Sequence, residues 1–347
     1  MTERAQVPSG AATLLCVDSG TTNTRGWLVA GDRILARREA PLGARDTARD
    51  GHDRALRAAL RDLIAGLRAT GDAQDVLPPR RIAAAGMITS AQGLVEVPHV
   101  SAPAGIGELA AGARETLLAD VADLPFVFVP GVRTVAIPGV APGIGATDVM
   151  RGEETLCIGL LAQGRLAPGG ALLSVGSHWK VIRIDEAGRV AWSLTSLAGE
   201  MIHAARGQTI LASAVPRGPL TEPDLPQLLE GMDEARRSGL ARALFCVRLL
   251  ELSGAGTPEG RLSFLVGAFI GADLDRLCAS GALAAAAPVT VAGDEKVGGA
   301  WSLALDRFGC PARSLTAAEV EAGSIAGLVA ILEAVRLIPQ ARRRPGG

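Results

Sequence analysis

Residues 14–25 begin as an apolar run and end in a row of small polar side chains, and few structures suit both halves. Residues 14–17 are all apolar and predict a buried strand, with a turn that begins at Asp18. Because Gly20 has no Cβ, the backbone there can approach a ligand and direct successive N–H groups toward an anion. Further donors follow in the side chains of Thr21, Thr22, Asn23 and Arg25. The segment predicts a phosphate-binding hairpin, although the same residue types also form ordinary turns.

Asp18 adds a negative charge to this hairpin. A carboxylate and a phosphate repel each other unless a cation lies between them. Carboxylate oxygens are common ligands of hydrated Mg²⁺. We therefore predict that Asp18 holds Mg²⁺ beside a bound phosphate.

A second copy of this pattern begins about half a chain later. Residues 171–190 again read strand, glycine turn, strand, polar turn and strand, and Gly176 lies 156 residues after Gly20 in a chain of 347. The donors of this turn are Ser177, His178 and Lys180. Only two of the 35 basic residues are lysines, and a lysine ammonium suits phosphate. The repeat predicts an α/β chain of two duplicated domains, each with one hairpin.

The paired glycine hairpins resemble the sugar kinase, hsp70 and actin superfamily. That resemblance implies two ribonuclease-H-like domains in the actin/hexokinase-like ATPase fold, with ATP bound in the interdomain cleft. We expect the first domain, with the first phosphate hairpin and the sugar-acid loop, over residues 1–135. The second, with the other hairpin and an adenosine loop, is expected over 148–340. The Pro- and Gly-containing loop 132–147 would join them.

Five further segments narrow the resemblance to the 2-dehydro-3-deoxygalactonokinase family. In chain order they are Ala85-Gly86-Met87-Ile88-Thr89-Ser90, Pro130-Gly131-Val132-Arg133, Asp148-Val149-Met150-Arg151-Gly152-Glu153-Glu154-Thr155, Val175-Gly176-Ser177-His178-Trp179-Lys180 and Val291-Ala292-Gly293. Residues 150–155 are the most specific piece. The resemblance implies a kinase that uses ATP and Mg²⁺ to phosphorylate the 6-hydroxyl of 2-dehydro-3-deoxy-D-galactonate, a small sugar acid, in galactonate catabolism.

The same resemblance implies where the ligands bind. It places the sugar acid beside residues 92–106, the sugar-acid loop, and near Glu200, although Glu200 could instead cap a helix. We expect Arg25, Gly86, Met87 and Ser90 to bind the sugar acid as well. It places adenosine near Gly293. The chain departs from the family directly after this glycine, since Asp294-Glu295-Lys296 stand where small hydroxyl residues are usual.

A kinase that acts on a hydroxyl needs a carboxylate to orient that group and accept its proton. Residues 148–161 predict a helix with Asp148 as its N-cap, and Asp148 precedes the second hairpin at the spacing of the base in related sugar kinases. Glu153 is the alternative, because the most specific motif centres on it. Either acid could simply stabilise the helix N-terminus. Arg151 could pair with an acid or bind the substrate carboxylate.

The remaining secondary-structure signals concern the scaffold. Apolar residues at three- and four-residue spacing predict an amphipathic helix over 50–69, and a second helix is expected over 107–121. Gly267 and Gly271 lie four residues apart in an apolar segment and would suit close helix packing.

Composition argues against several classes of protein. With 35 basic and 36 acidic residues, the net charge of −1 gives no sign of a nucleic-acid or membrane partner. The chain has no long apolar run and no apolar leader, so we expect a cytoplasmic protein, which could be a homo-oligomer. Its five cysteines and four histidines are dispersed, which argues against a zinc site.

Other functions remain open at this point. The kinase could act on another sugar or sugar acid, such as 2-dehydro-3-deoxygluconate. The fold could also belong to a nucleotide-binding regulator or to an ATPase that drives a partner. A Rossmann dehydrogenase is a further alternative, since Gly143-Ile144-Gly145 begins a glycine motif but lacks its third glycine.

Overall fold

The structure is a computed structural model, and it describes residues 12–31, 33–74, 76–218, 220–284 and 286–337. The first expected domain range begins, and the second ends, outside these residues. The strands are β1 (Thr13–Ser19), β2 (Thr24–Ala30), β3 (Arg33–Ala40), β4 (Ile82–Gly86), β5 (Val100–Ser101), β6 (Arg114–Leu117), β7 (Pro125–Phe128), β8 (Val132–Thr134), β9 (Asp148–Met150), β10 (Ala171–Val175), β11 (Trp179–Ile184), β12 (Val190–Ser196), β13 (Val289–Gly293) and β14 (Ala312–Ser314).

The α-helices lie between and after the strands along the chain. They are α1 (Ala44–Asp50), α2 (Arg54–Ala73), α3 (Ile106–Gly112), α4 (Glu153–Ala162), α5 (Ala198–Gln208), α6 (Leu225–Ser238), α7 (Leu240–Leu252), α8 (Pro258–Ala279), α9 (Glu295–Arg307) and α10 (Ala317–Leu337). Short 3-10 helices cover Met87–Thr89, Ile144–Ala146 and Ile210–Ser213. Among the described residues, no helix is long and apolar enough to span a membrane.

Two sheets repeat one strand arrangement. The first has the order β3-β2-β1-β4-β7-β6, and the second has the order β12-β11-β10-β13-β14. In each, three consecutive strands form an antiparallel meander whose first strand pairs in parallel with a later strand, β4 or β13. A further parallel strand follows, β7 or β14. This confirms the predicted α/β fold with a duplicated ribonuclease-H-like arrangement. A small third sheet has the order β5-β8-β9.

The chain divides into two compact units, and each contains one of the large sheets. The first takes in residues up to 133, 149–164 and those from 322 onward, and the second takes in 134–148 and 165–321. Helices α4 and α10 pack closely in the first unit, since a Cβ on Gly159 would overlap the Gly323 carbonyl. The contiguous domain ranges 1–135 and 148–340 stay a prediction, and these units differ from them at 149–164 and at the C-terminal helix.

Each unit has its own apolar core. In the first, Leu15, Val17 and Leu28 of the sheet pack against the apolar stripe of α2. That stripe is the one predicted from the spacing of its leucines, although α2 begins at Arg54 and not at residue 50. In the second, α8 and α9 cover one face of β10 and β11, where Trp179 and Trp301 are both buried.

Two expected helices are wrong in part. Residues 148–150 form β9, and α4 begins only at Glu153, with Gly152 at its N-cap in a left-handed conformation (φ 107°). Asp148 therefore caps no helix; its carboxylate instead accepts hydrogen bonds from hydroxyl groups of β12. The helix expected over 107–121 ends at Gly112, because the chain turns there into β6, which pairs with β7.

Glycines let α6 and α8 pack with their backbones in contact. A Cβ on Gly267 would overlap the carbonyl of Leu228, and a Cβ on Gly271 would lie 2.8 Å from the Cα of Met232. On the facing helix, a Cβ on Gly231 would overlap the carbonyl of Phe264. The close packing predicted from Gly267 and Gly271 is confirmed.

We expect Gly267→Ala to lower the free energy of unfolding by about 1–3 kcal/mol, because the added methyl group must push two helix backbones apart. Gly299→Ala is the matched control, since nothing lies within 4 Å of the added Cβ in α9. There the substitution should stabilise the protein by about 0.5–1 kcal/mol. Urea unfolding followed by circular dichroism measures both, and equal effects of the two variants would contradict the packing.

Candidate active site

The first hairpin lies between β1 and β2 and is fixed by the start of α1. Strand β1 continues through Asp18 and Ser19, so the turn begins later than the sequence suggested. Gly20 N–H donates to the Asn23 carbonyl at 2.8 Å. From α1, Ala44 N–H donates to the Gly20 carbonyl at 3.2 Å, and the next residue donates to Thr21 at 2.9 Å. These contacts orient the carbonyl groups of the turn toward the helix N-terminus.

The second hairpin is held in the same way. Gly176 N–H donates to the His178 carbonyl at 3.3 Å, and Glu200 N–H, in the first turn of α5, donates to the Ser177 carbonyl at 2.8 Å. A glycine makes the approach possible in both hairpins. A Cβ on Gly43 would lie 2.6 Å from the Gly20 carbonyl oxygen, and a Cβ on Gly199 would overlap the Gly176 carbonyl.

The hairpin glycines themselves are not required by packing. A Cβ on Gly20 would meet only the Asn23 carbonyl, at 3.6 Å, and a Cβ on Gly176 would meet only the His178 carbonyl, at 4.0 Å. Neither glycine has a positive φ. Open space beside each turn is what a ligand would use, as the sequence predicted.

The side chains predicted to bind nucleotide or sugar differ in their availability. Thr21, Thr22 and Asn23 are half-buried, Ser177 is exposed, and Lys180 is buried in β11. Two further side chains of this set lie beside a carboxylate. Arg25 is exposed and lies 3.5 Å from Glu39, and His178 Nε2 lies 3.3 Å from the Glu200 carboxylate.

Asp18 is the predicted metal ligand. Burial raises its pKa from 3.8 to about 6, while Arg25 lowers it and Glu153 raises it further. Two glycines leave room beside this carboxylate. A Cβ on Gly86 would lie 2.8 Å from Asp18 Oδ1, and a Cβ on Gly152 would lie 3.7 Å from the same atom. The two glycines thus form a cradle that any larger residue would fill.

This donor set fits hydrated Mg²⁺. A half-buried carboxylate with a second acid nearby is stabilised by a cation, and Mg²⁺ keeps most of its water ligands. The described residues contain no cluster of three or more metal-ligating side chains. Such a site would hold the ion through one carboxylate and phosphate oxygens and would not enclose it.

Arg151 ties the predicted sugar-acid loop to the start of α4. Its guanidinium donates to Thr89 Oγ1 and to the Val97 carbonyl, both at 2.8 Å, and lies 3.3 Å from His99 Nδ1. Burial lowers its pKa. Thr89 Oγ1 in turn donates to the Gly86 carbonyl at 3.0 Å. Arg151 thus connects the loop to the Asp18 cradle. Its guanidinium N–H groups donate to acceptors of the protein itself.

The other predicted loop residues lie in the same place. Met87 is half-buried and Ser90 is buried, and Ser90 Oγ donates to the Met87 carbonyl at 2.7 Å. Sequence reasoning missed Thr89, Val97 and His99 as partners of Arg151. Their position within the predicted loop was the available signal.

The acids that follow Arg151 have different roles. Glu153 is the first residue of α4 and acts electrostatically on Asp18, so the structure brings these two candidates together. Glu154 is fully buried, and both of its carboxylate oxygens accept from Gly152 N–H, at 2.8 and 2.9 Å. Glu154 thus stabilises the N-terminus of α4 by accepting from the N–H of its N-cap residue.

Asp148 belongs to the second unit. Its Oδ2 accepts from Ser193 Oγ at 2.6 Å and from Thr195 Oγ1 at 2.8 Å. It lines a cavity with Lys180. Sequence reasoning missed both hydroxyls, because β12 lies more than 40 residues away along the chain.

Gly293 ends β13 where the adenosine loop is predicted. Its φ of 127° and the nearby Val175 carbonyl exclude any larger residue. Asp294, part of the departure from the family pattern, is the N-cap of α9 and accepts from the backbone of Lys296 and Val297 at 3.0 and 2.9 Å. A cavity of about 240 Å³ lies beside these residues. Residues 294–296, which differ from the family pattern, thus begin α9 with Asp294 as its N-cap, and Gly293 keeps its position at the end of β13.

The raised pKa of Asp18 gives a testable pH dependence without metal. A folded-state pKa above the unfolded value favours the folded protein below pH 3.8, and this contribution is lost as the pH rises through about 6. The loss for Asp18 is up to ~3 kcal/mol. Asp18→Asn should therefore gain stability relative to the wild type between pH 4 and pH 8, in urea unfolding with EDTA. A constant difference between the two proteins would contradict this account.

Comparison with known proteins identifies the family. The family model described as 2-keto-3-deoxy-galactonokinase matches residues 18–331. A 2-dehydro-3-deoxygalactonokinase of Escherichia coli (strain K12) is 28% identical over 273 residues, which are 76% of this chain and 80% of that protein.

Solved structures share the fold. A crystal structure from Sinorhizobium meliloti, provisionally assigned as a 2-dehydro-3-deoxygalactonokinase, superposes with a TM-score of 0.73 at 24% identity and covers 94% of this chain and all of that one. Component A of the (R)-2-hydroxyglutaryl-CoA dehydratase of Acidaminococcus fermentans has a TM-score of 0.50 at 12% identity, over 93% of this chain and 99% of its own. Since the family model spans nearly the whole chain, this protein belongs to the 2-keto-3-deoxy-galactonokinase family.

Proposed function

We propose that this protein is an ATP-dependent sugar-acid kinase that phosphorylates the 6-hydroxyl of 2-dehydro-3-deoxy-D-galactonate in galactonate catabolism. The observation that carries the proposal is the pair of matched hairpins, each with an open glycine and each fixed by a helix N-terminus, in a member of this family. We also propose that it acts in the cytoplasm, where ATP is available.

The hairpins would bind the phosphates of ATP. The turn carbonyls are held by α1 and α5. The N–H groups of residues 21–23 and 177–178 donate no turn or loop backbone hydrogen bond within the part of the chain that the structure describes, and they are the natural donors to an anion. The half-buried hydroxyls of Thr21 and Thr22 add to them. Such donors are fixed before the ligand arrives, so binding costs little reorganisation.

Mg²⁺ would be held by Asp18 in the cradle of Gly86 and Gly152. When bound, the ion neutralises phosphate charge and so favours phosphoryl transfer. Adenosine would occupy the 240 Å³ cavity beside Gly293.

The base is Asp148 or Glu153, and the electrostatics support Glu153. Glu153 lies close enough to Asp18 to raise the pKa of that carboxyl, so it belongs to the same catalytic cluster. Asp148 already accepts two hydroxyl hydrogen bonds on one oxygen. Glu153 would orient the attacking hydroxyl and accept its proton, while Arg151 holds the neighbouring loop.

The paired variants Glu153→Gln and Asp148→Asn separate the two candidates. Loss of a general base costs ~10²–10⁴-fold in kcat, so we expect that loss in Glu153→Gln with ATP binding retained. Asp148→Asn should keep a far higher kcat. Steady-state kinetics with thermal melting as the fold control measure both, and the reverse ranking would assign the base to Asp148.

ADP release with ATP and Mg²⁺ tests the activity itself. The acceptors are 2-dehydro-3-deoxy-D-galactonate, its gluconate epimer, plain aldonates and neutral sugars. We expect turnover with the deoxy-keto acids and the highest kcat/KM with the galactonate form. Turnover with neutral sugars alone would contradict the proposed substrate, and ADP release without any acceptor would indicate an ATPase.

A further inference from the structure

The second unit contains a cavity of about 400 Å³ that is lined in part by Lys180 of the second hairpin and by Asp148. It lies among strands β10–β12, helices α8 and α9 and the segment before β9. The rings of Trp179 and Trp301 contribute to its wall and meet edge to face, with centroids 5.3 Å apart. Other apolar wall residues are Leu173, Val181, Leu194 and Leu277. The volume is in the range of small-molecule sites.

Two carboxylates line this cavity, and hydroxyls of β12 fix both. Asp148 Oδ2 accepts from Ser193 and Thr195, and Asp273 Oδ2 accepts from Ser196. In each acid, Oδ2 accepts the hydrogen bonds from the protein. Neither Oδ1 accepts a hydrogen bond from the residues that the structure describes. Burial raises the pKa of Asp273. A ligand with hydroxyl groups could donate to both acids.

Cations complete the lining. Lys180 is only 5% exposed and follows Trp179 directly after the second hairpin. Arg276 lies one helical turn after Asp273 on α8 and forms no ion pair with any described residue. A planar guanidinium binds a carboxylate through two parallel hydrogen bonds. The lining therefore suits a ligand that carries both hydroxyl groups and one anionic group.

We propose that this cavity binds a small polyhydroxylated carboxylate, with Arg276 at the carboxylate and Asp148 and Asp273 accepting from its hydroxyls. The identity of the acid, 2-dehydro-3-deoxy-D-galactonate, rests on the proposed function. The site assigns binding roles to Asp273 and Arg276, which the sequence motifs do not include. It departs from the placement of the sugar acid near Arg25, Gly86, Met87, Ser90 and Glu200 that was expected from the sequence.

Calorimetric titration of the protein with 2-dehydro-3-deoxy-D-galactonate, without ATP, tests the site. We expect saturable binding by the wild type and at least tenfold weaker binding by Asp273→Asn and by Arg276→Ala. Asp275→Asn is the matched control, because it removes the same charge from the same helix, where Asp275 is exposed and pairs with Arg236. The neutral polyol D-galactitol should bind far more weakly than the acid.

Equal affinity in all variants, or no saturable binding by the wild type, would overturn the site. Thermal melting and circular dichroism of each variant show whether it is folded. Kinetics separate this inference from the proposed function. If the wild type binds the acid but does not phosphorylate it, the proposed kinase activity is wrong and the proposed binding site is supported. If Asp273→Asn and Arg276→Ala phosphorylate the acid with unchanged KM, the proposed binding site is wrong and the proposed kinase activity is supported.

Discussion

Backbone contact between a helix N-terminus and a hairpin turn underlies both candidate phosphate loops. The N–H groups at the start of α1 and α5 donate to carbonyls of the turns, and the N–H groups that follow Gly20 and Gly176 can then face a ligand. Contact at this distance requires Gly43 and Gly199, since either Cβ would collide with a turn carbonyl. The glycines that shape each loop thus lie outside it, and the loop glycines are left with open space.

A second set of contacts joins the remaining candidates in the first unit. Gly86 adjoins the Asp18 carboxylate, its carbonyl accepts from Thr89, and Thr89 accepts from Arg151. Arg151 lies two residues before Glu153, which acts on Asp18 in turn. The metal-ligand candidate, the base candidate and the sugar-acid loop are therefore joined by one series of contacts within the first unit.

The sequence predicted the fold well because the hairpins carry local signals. A strand, a glycine turn and a second strand can be recognised without tertiary information, and their repetition gave the duplicated sheet. The surroundings of Asp148 could not be predicted, because its partners Ser193 and Thr195 come from a distant strand. Gly43 had a usable signal that was missed, since the carboxylate of Asp46, three residues later, accepts from Gly43 N–H at 3.0 Å as an N3 acid does at a helix start. Asp273 and Arg276 belong to an ordinary apolar helix, and only the fold gives them a cavity.

ATP phosphates are proposed to bind at both glycine hairpins. Equilibrium binding of Mg-ATP to the variants Gly20→Val and Gly176→Val tests this proposal most directly. The open space beside each glycine means that both variants should fold with a melting temperature near that of the wild type. We expect each to bind Mg-ATP at least tenfold more weakly, because the new side chain occupies the place of a phosphate. Unchanged affinity in either folded variant would show that its hairpin does not bind nucleotide.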